Sequence, residues 1–212
     1  MPEGHTSPDG ITWTGQSEGG SFIALTGIAW SGSQFAAVGG NNLILTSPDG
    51  KTWTAPYYGG TGTLRSITWS GSQFVAVGDN GAILTSPDGN TWTAQSSGTT
   101  DELNGIVWSG SQFVAVGSYE SSLGISYGAI FTSPDGKTWT AQSAGTVDYL
   151  NAVAWSGSQF AAVGGGGTIL TSPDGKSWTA QSAGTSNTLN GIVWSGSQFV
   201  AVGDFGTILT SP

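Results

Sequence analysis

SPDGNTW, residues 86–92, decides the fold: Ser86-Pro87-Asp88-Gly89-Asn90-Thr91-Trp92. Close copies stand at 7–13, 47–53, 133–139 and 172–178. Proline and glycine punctuate a tight turn between two extended runs, with glycine where φ must become positive. An aspartate inside such a turn accepts backbone N–H groups, and the tryptophan after it anchors a new strand. A second phrase, WSGSQF, starts at Trp30, Trp69, Trp108, Trp155 and Trp194. The two phrases together contain all ten tryptophans.

Spacings of 39, 39, 47 and 39 residues between the WSGSQF copies mark a tandem array. Each unit divides at its Gly, Asp, Asn and Ser-Pro positions into four runs of strand length, and none carries a helical period. Phe113-Val114-Ala115-Val116 is a continuous apolar run, as expected of a strand covered on both faces, whereas Thr91-Trp92-Thr93 alternates as an outer strand does. The pattern predicts an all-β protein: a five-bladed β-propeller with four antiparallel strands per blade, occupying 6–212 as one domain after a tail at 1–5. The tryptophans are expected to pack between blades. ITWT, at 11–14, reads as a lone fourth strand, and the chain ends on Ile208-Leu209-Thr210-Ser211-Pro212, a third strand without its fourth. The expectation is a ring closed by pairing that N-terminal strand with the C-terminal three.

Composition narrows the partners. A net charge of -9 with four basic residues (Lys51, Arg65, Lys137, Lys176) argues against nucleic acid and anionic membrane. Without cysteine there is no disulfide or thiolate metal site, and the compartment stays open. No apolar run reaches the length of a membrane span, and MPEGHTSPDG lacks the apolar core of a signal peptide.

SPDGKTW, at 133–139 in SPDG form, resembles the Asp-box (BNR) motif S-x-D-x-G-x-T-W, one residue shorter. With WSGSQFVAVG the repeat is similar to propellers of the photosystem II assembly-factor type, over residues 6–212. The resemblance implies the propeller fold and a non-enzymatic protein-interaction scaffold. The arginine-rich patch described for that group has no counterpart beside the single Arg65. Asp9, Asp49, Asp88, Asp135 and Asp174 are expected to make the fold rather than bind metal, because a hard cation needs several oxygens together and each of these stands on its own blade.

Two sets of connections then lie on opposite faces of the ring. First-to-second and third-to-fourth turns are monotonous, SGSQ and SPDG throughout. Second-to-third turns and the links between blades differ in every copy, and loops on a rigid scaffold carry function. All five tyrosines fall in this variable set. The third copy is eight residues longer than the others, which places Tyr119, Glu120 and Tyr127 in an insertion at 118–127. Links on either side supply Asp101, Glu102, Asp148 and Tyr149, and the expected site is one aromatic–acidic patch. Arg65, Asn104, Asn151 and Asn190, each following a link leucine, are expected at the mouth of the central channel as an alternative site.

Enzymatic readings find little. A sialidase-like site needs an arginine cluster; a glycosidase pair among Glu102, Glu120 and Asp148 has no defining spacing. His5 stands without a triad or zinc partner. Gly-Lys-Thr at 50–52 and Gly-Lys-Ser at 175–177 lack the earlier glycine of a phosphate loop, where Leu45 and Leu170 stand instead. The expectation is a monomeric binding scaffold without cofactor or metal, whose partner is a protein or a carbohydrate. A lectin-like propeller, or an engineered or amplified array with no ligand, are the alternatives.

Overall fold

The computed structural model describes residues 4–7, 10–12, 14–16, 23–57, 59–146 and 148–211. Asp9 and Trp13 lie outside them. Two short strands come first, β1 (Gly4–Thr6) and β2 (Thr14–Gln16). The first blade is β3 (Leu25–Trp30), β4 (Phe35–Gly39), β5 (Ile44–Ser47) and β6 (Thr54–Tyr57). The second is β7 (Leu64–Trp69), β8 (Phe74–Gly78), β9 (Ile83–Ser86) and β10 (Thr93–Gln95). The third is β11 (Glu102–Trp108), β12 (Phe113–Glu120), β13 (Ser126–Ser133) and β14 (Thr140–Gln142). The fourth is β15 (Leu150–Trp155), β16 (Phe160–Gly164), β17 (Ile169–Ser172) and β18 (Thr179–Gln181). The fifth has three strands: β19 (Leu189–Trp194), β20 (Phe199–Gly203) and β21 (Ile208–Thr210). Every pairing is antiparallel between strands consecutive in sequence, so the fold is an all-β propeller of five blades.

Side-chain alternation along one strand builds two blade junctions at once. In β12, Phe113 and Ala115 turn back towards Val75, Val77 and Ile83 of the second blade. Val114 and Val116 turn forward, onto Leu150, Val153, Phe160 and Leu170 of the fourth. This explains the unbroken FVAV run, buried on both faces. The two repeated phrases meet in an aromatic chain at the monotonous end of each blade. Trp108 lies 4.4 Å from Phe113, and Phe113 lies 6.3 Å from Trp139, both tilted. The same Trp–Phe–Trp order recurs in the first, second and fourth blades. The tryptophans thus pack on their own blade's phenylalanine as well as across the junctions.

The Ser-Pro-Asp-Gly turns are hydrogen-bond cages. Asp88 Oδ1 accepts from the backbone N–H of Asn90 and of Thr91, both at 2.8 Å, and from Ser86 Oγ at 3.1 Å. Ser86 Oγ accepts from Gly89 N–H at 2.8 Å, and Trp92 Nε1 donates to the Gly89 carbonyl at 2.7 Å. Gly89 has φ +76, a conformation that L side chains disfavour. Asp49, Asp135 and Asp174 make the same two backbone bonds. The glutamine of WSGSQF ties these turns to the neighbouring blade: Gln73 Nε2 donates to Asp135 O and Gln112 Nε2 to Asp174 O, each at 2.7 Å.

The ring closure expected from the termini is not made. β2 pairs with β1, in the register Thr6↔Thr14, and β21 borders β20 alone. β3 packs on β7, β7 on β11, β11 on β15 and β15 on β19, but no comparable packing joins β19 to β3. The physical reason is local. Gly4-His5-Thr6-Ser7, read above partly as a tail, precedes its turn where Ile-Leu-Thr-Ser precedes the others. A hairpin closes a far shorter loop than a pairing across the whole chain, with a smaller entropy loss.

Two outcomes test this architecture. Phe113→Ala, which empties a fully buried site between Trp108 and Trp139, is expected to cost about 3–5 kcal/mol in chemical denaturation. Backbone N–H groups of Thr91 and then Asn90 are the main cause that holds the Asp88 carboxyl below its ordinary 3.8, against a small opposing effect of burial. The lowered value means that the charged form belongs to the folded state. Its stabilisation is complete above pH 3.8 and is lost as the pH falls through the lowered value. Asp88→Ala is expected to lower stability at pH 7 by about 1 kcal/mol and to reduce the loss on acidification, read from denaturation midpoints at pH 7 and pH 3. A variant as stable as the parent at pH 7 would contradict the cage.

Candidate functional site

On the variable face, the insertion is a strand-paired hairpin rather than an irregular loop. β12 and β13 run on past the blade, with Ser118, Tyr119 and Glu120 opposite Gly128, Tyr127 and Ser126. The tip closes through Ser121 N–H to Ile125 O and Gly124 N–H to Ser121 O, both at 2.9 Å. Cross-strand pairing sets Tyr119 on Tyr127, with ring centroids 5.1 Å apart and planes 15° from parallel. Tyr119, Leu123 and Ile125 are exposed on this hairpin. Glu120 makes no hydrogen bond or ion pair among the described residues.

The links bring part of the expected patch to the foot of this hairpin. Glu102 pairs with Ser118, and Arg65 bridges it at 3.4 Å while also donating to Asp79. Asp79 accepts in addition from Thr63 N–H at 2.9 Å, which fixes the second blade's link to its own turn. The Asp101 carbonyl accepts from Gly81 N–H at 2.7 Å. Asp148 lies beside the hairpin through its backbone only: a Cβ at Gly128 would stand 2.9 Å from the Asp148 carbonyl oxygen. Its carboxylate turns instead to Thr168 Oγ1, at 3.2 Å. Tyr149 lies against Gly165 and reaches Thr188 Oγ1 at 3.4 Å. The expected patch therefore divides, with Tyr119, Glu120, Tyr127, Glu102 and Arg65 on one side, and Asp148 and Tyr149 clamped to the fourth blade's turn.

The residues expected at the channel mouth occupy one structural position. Each first strand carries a β-bulge after its leucine, and Thr26, Arg65, Asn104, Asn151 and Asn190 are the bulged residues. A bulge re-aims its side chain. Here it aims at the next blade: Asn104 Nδ2 donates to Leu150 O and Asn151 Nδ2 to Leu189 O, each at 2.9 Å, and Thr26 donates to Leu64 O. Asn190 donates to Asp204 at 2.7 Å. These amides bind the blades to one another. The leucine-plus-polar pair at the end of every link was the sequence signal for it, as the repeated glutamine of WSGSQF was for the bonds on the other face.

Two further features were not legible in the repeat. Phe205 is exposed at φ +54, in a turn where its counterparts are Asn80 and Gly166. A bulky residue there is strained, so local folding gives no reason for phenylalanine. Open grooves recur where a turn, a fourth strand and the following link meet. One, of about 770 Å³, is lined by Asn42, Tyr57, Gly81, Gln95, Ser97 and Thr99; another, of about 420 Å³, uses the matching Gly167, Gln181 and Thr185. Asn42 Oδ1 in the first is buried without a hydrogen-bond partner among the described residues. No three metal-ligating side chains gather among the described residues.

No protein-family profile and no curated protein matches the chain. Solved structures do. A structure of YCF48 bound to a D1 peptide superposes with a TM-score of 0.70 over 95% of this chain and 68% of that one, at 21% identity. A chain of the nidogen/laminin complex gives 0.63 over 85% and 72%, at 12% identity. YCF48 from Cyanidioschyzon merolae gives 0.53 over 95% and 85%, at 17% identity. At these identities the likeness is one of fold, and the fold is the propeller.

Proposed function

We propose that the chain is a non-enzymatic scaffold that binds a protein segment through its variable face, with the third-blade hairpin as the principal contact. The single observation that carries this reading is the hairpin itself. It interrupts an otherwise regular array, it is ordered by paired strands, and it holds stacked tyrosines beside exposed Leu123 and Ile125. Tyrosine offers a large rigid contact with a polar tip, which suits peptide surfaces. Glu120 and the overall negative charge favour a segment with apolar and basic side chains. Strained, exposed Phe205 adds a second apolar contact on the same face. A propeller of the same fold, YCF48, has been solved with a peptide bound. Catalysis finds no support on this face, since Asp79, Asp148, Asp204 and Glu102 each hold a turn, a hydroxyl, an amide or Arg65.

A second reading, a glycan-binding propeller, is favoured by the recurring grooves and the unpartnered Asn42 oxygen. Weak, equivalent sites would then act by avidity. Peptides selected from a displayed random library, and a glycan array probed in parallel, separate the two. Selected peptides are expected to lose at least tenfold in affinity by calorimetry, about 1.4 kcal/mol, when 118–127 is replaced by Asp-Asn. Unchanged peptide affinity in the folded variant would remove the hairpin from the site; glycan hits without peptide hits would favour the grooves.

A further inference from the structure

The blade junction is one interface used again and again. Each blade presents a forward face, built from second- and third-strand valines and isoleucines, to the back face of the next, built from its first-strand leucine and isoleucine and its second-strand phenylalanine. Five blades in an arc that does not close leave the forward face of the fifth uncovered, and the back face of the first uncovered along its first strand, while Ala37, Leu43 and Leu45 beside it are covered by Ile23 and Trp53. Exposure reports this directly, because repeat-equivalent residues differ only in having a neighbour. On the forward face of the fifth blade Val202 is 48% exposed, while Val116 and Val163 are at 0%. Ile208 is 68% exposed against 1% for Ile130. On the back face of the first blade Ile28 is 60% exposed against 7% for Ile106, and Leu25 46% against 0% for Leu103.

We propose that these two faces are a head-to-tail association surface whose occupant is a second copy of this chain. The forward face of one copy's fifth blade seats on the back face of the next copy's first blade. Val193, Val202 and Ile208 meet Leu25, Ile28 and Trp30, repeating the internal junctions. Polar groups fit the same operation. Asn190 donates to Asp204 instead of to a leucine carbonyl as Asn104 and Asn151 do. In the assembly it reaches the Leu25 carbonyl of the next copy, and Gln198 reaches the turn at Asp49, as Gln73 reaches Asp135.

Strand order makes the fit stricter. In every internal repeat the fourth strand of one blade immediately precedes the first strand of the next, as β10 precedes β11. β2 precedes β3 in the same way, so it is the fourth strand of whichever blade precedes the first. β1 holds β2 through Thr6↔Thr14, the register that β9 uses with β10 in Thr85↔Thr93. β21 carries the same Thr-Ser-Pro and borders β20 alone in the structure. Exchange of β1 for the β21 of another copy completes the three-stranded sheet, with Thr210 opposite Thr14 and with Ile-Leu in place of Gly-His. The monomer expected above depends on the closure that the structure lacks. A head-to-tail contact is heterologous, so it grows into rings or filaments.

The test uses two variants that each block one face at an exposed position, Ile28→Glu and Val202→Glu, with Leu25→Glu and Ile208→Glu as an independent pair. In sedimentation equilibrium the parent chain is expected to rise above monomer mass with concentration. Each variant alone, folded by circular dichroism, remains a monomer, because one of the two faces is lost. An equimolar mixture of the complementary variants forms a dimer that grows no further, since the one intact face of each kind is used in the contact and both remaining faces are blocked. A parent chain that stays monomeric at every concentration, or a mixture of either pair that forms no dimer, overturns the proposal.

Discussion

A four-stranded sheet with apolar side chains on both faces cannot stand alone in water. Everything else in this molecule follows from how that burial is met. Val114 and Phe113 are neighbours in the chain and belong to different junctions, one forward and one back. Burying both faces of one strand takes a further sheet on each side, and the repeat supplies it by copying itself. Each such side chain contributes roughly 1.5–3 kcal/mol when removed from water, so a large junction, with six or seven of them beside its alanines, outweighs any single polar contact. Polar groups then set register rather than strength. The Asp88 cage aims Trp92, the bulged asparagines catch the next leucine carbonyl, and Gln73 and Gln112 pin the turns on the opposite face.

Such a division of labour leaves the two ends of the propeller with different freedom. On the SGSQ and SPDG face nearly every hydroxyl and carboxylate bonds locally, and a substitution there disturbs a turn. On the opposite face the links and second-to-third turns have to satisfy only their own short bonds. Length and side chain vary there at little cost, because long surface insertions close with a small entropy loss. The third-blade hairpin uses this freedom. It extends two strands already held by the core, so its tyrosines are presented on a stiff support.

Fold and blade count were legible because the signal was repeated: proline–aspartate–glycine turns, a run such as FVAV, and a fixed interval. What the repeat could not show was any place where copies differ. ITWT looked free to close the ring because Gly4-His5-Thr6 does not resemble Ile-Leu-Thr in composition, although it matches in register. The insertion read as a loop because its alternation is short and is interrupted by Ser121-Ser122 and Gly124. Asp148 and Tyr149 were expected beside Tyr127, since the order of links places them there; only side-chain direction turns them to Thr168 and Gly165. Asn104 and Asn151 looked like channel ligands because a bulge cannot be seen without the strand it faces.

Blade-on-blade burial as the source of stability is tested most directly by native-state hydrogen exchange resolved along the chain. At low concentration the amides of β7 to β18 are expected to be far better protected than those of β3 to β6, whose back face is uncovered along β3, and of β19 to β21, whose forward face is uncovered. Protection of the terminal blades should then rise towards that of the central ones as the protein is concentrated. Equal protection of all five blades in dilute solution, with no dependence on concentration, would contradict the account and mean that the chain closes on itself.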